Sequence, residues 1–294
     1  MPLFRYTFTA MAAQHELQLG AAQRSCADAA AAAAIADVRR IEAKFSRYRD
    51  DSVTTAINRA AGVAAVCIDA ETAALVRYGA QCHALSDGGF DLTSGVLRRA
   101  WDFRRRPPRL PDDATLRGAR ERVGWSRVEW SDEVIRLPEP GMEIDFGGIG
   151  KEYAADRAAT ILAGHGIAHA LVNLGGDVRA VGSQPDGTPW RVGIVHPRRD
   201  GAVVGEVELV DGAVATSGDY QRYFEVDGRR YCHIVDARTG MPVAHWQSAS
   251  VVAPLCTLAG TLATLAMLRA DAEAFLRAQD VSFLLVAADG SVRR

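Results

Sequence analysis

The sequence predicts an α+β fold of mixed, largely antiparallel sheets with packed helices. Three observations carry that expectation. Through the second half of the chain, segments with strand chemistry follow one another directly, whereas a doubly wound parallel sheet interleaves each strand with a helix. Segments with helical periodicity are fewer and stand outside that run of strands. No repeat of fixed period and no low-complexity linker divides the chain, so residues 1–294 read as a single domain.

Taken in order, residues 4–20 alternate in polarity (FRYTFTAM, then HELQL), which predicts a pair of strands. An Ala-rich helix is expected over 21–47. Ile35, Val38, Ile41 and Phe45 recur there at steps of three and four, and no Gly or Pro interrupts the run. SRYRDDS breaks the pattern, and Ser52 is placed to cap a short helix reaching Asn58. A further amphipathic helix spans 71–86 and stops at the DGG of 87–89. Residues 111–140 read as a short helix and two strand-like runs, WSRVEW and EVIRL. MEIDFGGIG predicts a short strand, IDF, running into Gly147, Gly148 and Gly150, with a helix over 151–165 that opens on Lys151.

ALVNLGG then reads as a strand ending in the Gly175-Gly176-Asp177 turn, and strands continue to Val235. Asp227-Gly228 between two β-rich runs signals a type I′ hairpin. A two-residue loop sets Val226 opposite Arg229, Phe224 opposite Tyr231 and Arg222 opposite His233. A last helix over roughly 257–270 takes Thr257 as its N-cap and Leu258, Leu262, Leu265 and Leu268 as its buried stripe. FLLVAADGSV closes the chain as a strand and hairpin.

Hydrophobic residues at 48% and charged residues at 24% are the balance of a soluble globular protein. A net charge of −2 gives no general attraction for nucleic acid or anionic lipid. The one basic cluster, Arg104 to Arg109, has no interleaved aromatics and is followed by Asp112 and Asp113, as a solvated loop is. Five cysteines without a CxxC argue against a disulfide framework or zinc site and for a reducing compartment. No export pattern opens the sequence, and AAAAAAIADV is too short to span a bilayer, so the expectation is a cytoplasmic protein without a membrane anchor.

Four segments carry chemistry. The glycines of 147–150 let backbone approach a bulky anion at a helix N-terminus, with Lys151 as a point charge, although a corner built for packing has the same composition. Neither GxGxxG nor a Walker sequence is present. The Gly175-Gly176-Asp177 turn is a weaker instance of the same signal. His233, beside Arg222 in the hairpin register, is expected to stay neutral near pH 7, as a general base requires and as a hydrogen-bonding histidine also shows. Asp236, Arg238 and Thr239 crowd the turn that follows it. Gly260 lies inside the last helix, where glycine costs about 1 kcal/mol relative to alanine. It stands one turn from Thr264, which signals a close approach or a vacancy.

These segments, in this order, resemble the ApbE family of FAD:protein FMN transferases. ATSGDY (215–220) followed by HIVDARTGMP (233–242) is the most specific part. FTAM with Met11, FSRYRDDSVTTAIN with Tyr48, Ser52 and Asn58, and GGFDLTSGVLRRAW match as well, with Leu92 where proline is usual. The resemblance runs from about residue 5 to 290. It implies one α+β domain that binds FAD in a cleft, uses Mg²⁺, and attaches FMN to a threonine of an acceptor flavoprotein with release of AMP. Met11, Tyr48, Gly89, Phe90, Asp91, Asp145, Lys151 and His233 fall on FAD-contact positions. His233 and Lys151 fall on the catalytic ones, and Gly148 (through its carbonyl) and Thr264 on metal-ligand positions.

Two departures stand out. The family's last helix reads approximately A-D-A-L-A-T, with the Asp and Thr both on the metal, and here Gly260 replaces the Asp. Glu152 stands where a glycine usually follows the lysine. The lost carboxylate makes a catalytically impaired FAD-binding protein one alternative, unless the FAD phosphates or another acid, with Asp236 the candidate, compensate. An FAD pyrophosphatase giving FMN and AMP is another.

Overall fold

The alternation at the start becomes β1 (Leu3–Ala10) and β2 (Ala13–Gly20), antiparallel with Ala10 opposite Ala13. Met11 and Ala12 make the two-residue turn, both at positive φ (49° and 59°), the twist a type I′ hairpin needs. In the computed structural model, which describes residues 1–294, α1 (Arg24–Phe45) follows. It buries Ala27, Ala30, Ala31, Ala34, Val38, Ile41 and Phe45, so the alanine run is its core face and permits a close approach to neighbours. Ser52 caps α2 (Val53–Arg59), its hydroxyl accepting from the Thr55 amide at 3.0 Å. After β3 (Val66–Cys67) comes α3 (Ala70–Leu85), capped by Asp69.

A 3₁₀ helix (Leu92–Arg99) and α4 (Asp113–Arg120) follow. Only the end of WSRVEW is strand. Trp125–Arg127 is a 3₁₀ turn, and β4 (Glu129–Trp130) pairs with β5 (Val134–Arg136). The IDF segment is extended but joins no sheet. Its backbone is satisfied otherwise: the Asn58 side chain accepts from the Ile144 amide (2.7 Å) and donates to the Ile144 carbonyl (3.0 Å), while the Asp145 amide donates to the Leu92 carbonyl. It leads into α5 (Gly150–Gly164).

The strand run resolves as β6 (His169–Leu174), β7 (Asp177–Val181), β8 (Trp190–Val195), β9 (Val203–Leu209) and β10 (Gly212–Gly218). It continues through β11 (Tyr223–Val226), β12 (Arg229–Cys232), β13 (Val235–Asp236), β14 (Met241–Pro242) and β15 (Trp246–Ala253). Then come α6 (Cys256–Met267), α7 (Ala272–Ala278), β16 (Ser282–Ala287) and β17 (Val292–Arg293). The sequence reading contains no α7, a helix of seven residues.

Eight strands form one sheet in the order β1-β2-β6-β7-β10-β15-β16-β17, every neighbouring pair antiparallel. Helices α1, α5 and α6 lie side by side across it, over β1–β2, β6–β7 and β10–β15 respectively. The β8–β9 hairpin covers part of the opposite face, where Trp190 and Leu209 meet Val178, Ala180 and Val214. The α+β expectation therefore holds, with the main core between three helices and one sheet.

Helix α6 departs from the sequence reading at its start. Leu255 is the N-cap and offers no capping side chain. Asp156 of α5 supplies the cap instead, its two oxygens accepting from the Cys256 and Thr257 amides at 2.8 Å each and from the Thr257 hydroxyl at 2.7 Å. Leu258 is exposed, while Ala259 to Ala263 and Leu265 to Met267 are buried. Asp156→Ala is expected to lower the unfolding free energy by about 1–2 kcal/mol, the usual worth of such a cap, as a reduced urea midpoint at unchanged slope.

The Asp227-Gly228 hairpin takes the expected register, with Val226 opposite Arg229 and Phe224 opposite Tyr231. Asp227 and Gly228 both adopt positive φ (51° and 73°). The ladder extends one step further, the His233 amide donating to the Arg222 carbonyl at 3.0 Å.

Candidate active site

One cleft of about 1010 Å³ opens between the N-terminus of α5, the end of β10, the β11–β12 hairpin and the 89–106 stretch. That volume is at the upper end of the ~300–1,000 Å³ usual for ligand sites. Tyr48, Gly89, Phe90, Asp91, Asp145, Gly148, Lys151, His233 and Thr264 all line it. Met11 lies outside the lining, in the β1–β2 turn, where its amide donates to Glu42 at 2.6 Å. Asp236 lies outside as well. Its carboxylate is bound by Arg238, at 2.6 Å to one guanidinium nitrogen, so the expectation of a compensating acid there fails.

At the mouth, Tyr48 is 68% exposed, with the guanidiniums of Arg47 and Arg104 5.0 and 5.8 Å from its ring centre. Asp145 is fully engaged: one oxygen accepts from the Gly147 amide at 2.9 Å and the other pairs with Arg47. Asp91 is equally committed to the frame, accepting from the Thr93 amide and hydroxyl and from the Trp125 amide. Gly148 has a steric reason, since a Cβ there would sit 2.9 Å from the Phe90 ring.

The floor is built by α5 and α6. Lys151 pairs with the buried Asp177 at 2.5 Å. Burial works against its charge, but Asp177 and then Glu152 outweigh it and hold the ammonium pKa above its ordinary value. Glu152 is buried, and one of its oxygens, Oε2, has no hydrogen-bond partner. Burial first, and the Asp177 charge second, push its carboxyl up to about 8, against the pull of Lys151. From α6, Thr264 shares a hydroxyl–hydroxyl bond of 2.9 Å with Ser217 of β10.

His233 sits just beyond β12 with its ring open to the cleft. The surrounding cleft walls, and then Arg222, hold its pKa well below the ordinary histidine value, with Lys151 adding to the effect. The imidazole is therefore neutral near pH 7, as the hairpin register predicts. Asp177, Ser217 and Arg47 also line the cleft without having been selected as site residues from sequence. Ser217 lies inside the ATSGDY motif and Arg47 inside FSRYRDD, so position within a motif was the available signal for both.

An antiparallel eight-stranded sheet, three helices across it and a polar cleft at the N-terminus of α5 make this an α+β domain with one large ligand cleft. The ApbE protein of Thermotoga maritima superposes with a TM-score of 0.89 at 32% identity, over 100% of this chain and 97% of that one. Two relatives named FAD:protein FMN transferase align in sequence. That of Vibrio cholerae is 33% identical over 231 residues, covering 77% of this chain and 69% of the relative. That of Salmonella typhimurium is 32% identical over 218 residues, covering 71% of this chain and 62% of the relative. The profile of the ApbE family matches residues 6–285, and the chain belongs to that family.

Proposed function

We propose that the chain is a single-domain, Mg²⁺-dependent FAD:protein FMN transferase. FAD is its substrate, a threonine in the flavinylation motif of an acceptor flavoprotein receives FMN, and AMP leaves. The observation that carries this reading is convergence: Gly148, Lys151, His233 and Thr264 come from three separate segments and line one cleft large enough for a dinucleotide.

Tyr48 and Phe90 offer aromatic surface to FAD, with Gly89, Asp91 and Asp145 beside them; Met11 is proposed as a contact on the family resemblance alone. Neutral His233 takes the proton of the acceptor hydroxyl as that oxygen bonds to the flavin-side phosphorus. The bond from this phosphorus to the bridging oxygen breaks, and its electron pair leaves with AMP. Lys151 and the uncapped first turn of α5 face the charge that builds on the phosphate oxygens.

The floor suits a hard cation, because its donors are oxygens and Glu152 Oε2 is a buried carboxyl oxygen without a partner, which a bound cation would hold ionised. The Gly148 carbonyl and Thr264 hydroxyl are proposed ligands. Bound there, Mg²⁺ supplies positive charge to the pyrophosphate. Loss of the α6 carboxylate favours an inert FAD-binding protein only if no other acid reaches the floor, and Glu152 does reach it. The free thiols, Cys26 and Cys67 among them exposed, suit the reducing cytoplasm as the proposed location. No helix is long and apolar enough to cross a membrane.

The test is incubation with FAD, MgCl₂ and an acceptor domain, followed by in-gel flavin fluorescence. Labelling is expected with Mg²⁺, is expected to vanish with EDTA, and is expected to return with excess MgCl₂. Labelling that is indifferent to EDTA contradicts the metal dependence.

A further inference from the structure

Glu152 and Gly260 are separate oddities in the sequence and one contact in the fold. A Cβ placed on Gly260 would lie 2.5 Å from Glu152 Cγ and 2.8 Å from Glu152 Oε1. Real Cβ atoms do not approach so closely, so the glycine in α6 leaves room for the glutamate arriving from α5. Thr264 is one turn along α6 from Gly260 and lines the same cleft, which brings the Glu152 carboxylate alongside the helix face that carries the Thr264 hydroxyl.

The carboxylate is poorly served where it stands. Glu152 is only 9% exposed, and Oε2 has no donor. Its neighbour Asp177 is a second acid, and the one lysine at the floor is 2.5 Å from Asp177. Two buried acids beside one ammonium, with hydroxyls of Thr264 and Ser217 and the Gly148 carbonyl lining the same cleft, make a floor of hard oxygen donors where a divalent cation would hold both acids ionised.

We propose that Glu152 is the charged ligand of a divalent cation in this cleft, a carboxylate moved from α6 to the facing helix α5. The assignment rests on the metal-dependent reading above. It makes the two departures from the family pattern, Gly260 on α6 and Glu152 on α5, a single exchange between facing helices. A side chain at 260 forces the Glu152 side chain to shift from where it stands, so the two positions do not take an acid independently.

The experiment titrates the intact protein with Mn²⁺, following the free ion by EPR, for the parent, Glu152→Gln, Gly260→Asp, and the double exchange Glu152→Gly with Gly260→Asp. Thermal melts accompany each titration. The parent is expected to bind Mn²⁺, and Glu152→Gln, which keeps the volume, is expected to bind at least tenfold more weakly with a folded melt. Gly260→Asp alone is expected to melt several degrees lower, and the double exchange is expected to regain both the melt and Mn²⁺ affinity within a few-fold of the parent. Unchanged affinity in Glu152→Gln, no Mn²⁺ binding by the parent, or a double exchange no better than Glu152→Gln overturns the proposal. Flavin labelling by the parent, measured separately, isolates the transferase reading. An unlabelled acceptor with the Mn²⁺ pattern intact removes the function and leaves the ligand assignment standing.

Discussion

Replacing His233 by alanine is expected to slow flavin transfer by about 100- to 10,000-fold, the usual worth of a positioned general base. FAD binding is expected to change far less, because the proposed role of the base is on the acceptor hydroxyl. Equal losses in binding and rate contradict the role. The pH dependence gives a second signature. The cleft walls and Arg222 disfavour the charged imidazole, so the working pKa lies below the ordinary value of about 6.5. The sign follows directly: the neutral base persists as pH falls through 6.5, and the rate drops only under more acidic conditions. An acid limb centred at or above 6.5 contradicts this assignment. Arg222→Ala is expected to move the limb upward, since it removes one of the charges opposing protonation.

The second large effect is on stability. Trp101 is 2% exposed and stacks against the cross-strand pair on one face of the hairpin, 5.7 Å from the Tyr231 ring and 6.2 Å from Phe224. Its indole N–H donates to the Gly240 carbonyl at 2.7 Å. It thereby fastens the chain on either side of His233, the β11–β12 hairpin before it and the 236–240 turn after it. Trp101→Ala is expected to cost about 3–5 kcal/mol by denaturant unfolding, through lost burial and the cavity left behind. Transfer is expected to fall as well, because His233 loses its support. Trp101→Phe is expected to regain part of the stability and to remain about 1–2 kcal/mol short, since the Gly240 carbonyl loses a buried donor. A Trp101→Ala protein as stable as the parent contradicts this account of how the hairpin is held.

Local rules made the hairpins and helices legible. Asp227-Gly228 specified its own register, Ser52 its own cap, and the spacing of Val38, Ile41 and Phe45 the buried side of α1. The misses are all tertiary. IDF joins no sheet because a side chain 86 residues away, Asn58, serves its backbone. Thr257 is not the cap of α6 because Asp156 reaches over from α5. Leu258 fits the helical stripe and yet faces outward, because almost the whole remaining circumference of α6 is core and leaves little other surface to meet solvent.

At the site, the motifs pointed to most of the lining residues, but not to how they constrain one another. Asp91 and Asp145 have oxygens already committed to the frame, and only the packing of α5 on α6 brings a Cβ at position 260 within 2.5 Å of Glu152. That overlap reverses a simple expectation. Aspartate placed at 260 alone adds bulk beside Glu152 and is expected to lower the melt.

The most direct measurement of the central claim is the intact mass of an acceptor domain after incubation with the protein, FAD and MgCl₂, with AMP and free FMN quantified in the same tube. An acceptor heavier by FMN less one water is expected, with stoichiometric AMP and no modification once the acceptor threonine is changed to alanine. Free FMN and AMP beside an unmodified acceptor, or FAD left intact, contradicts the claim.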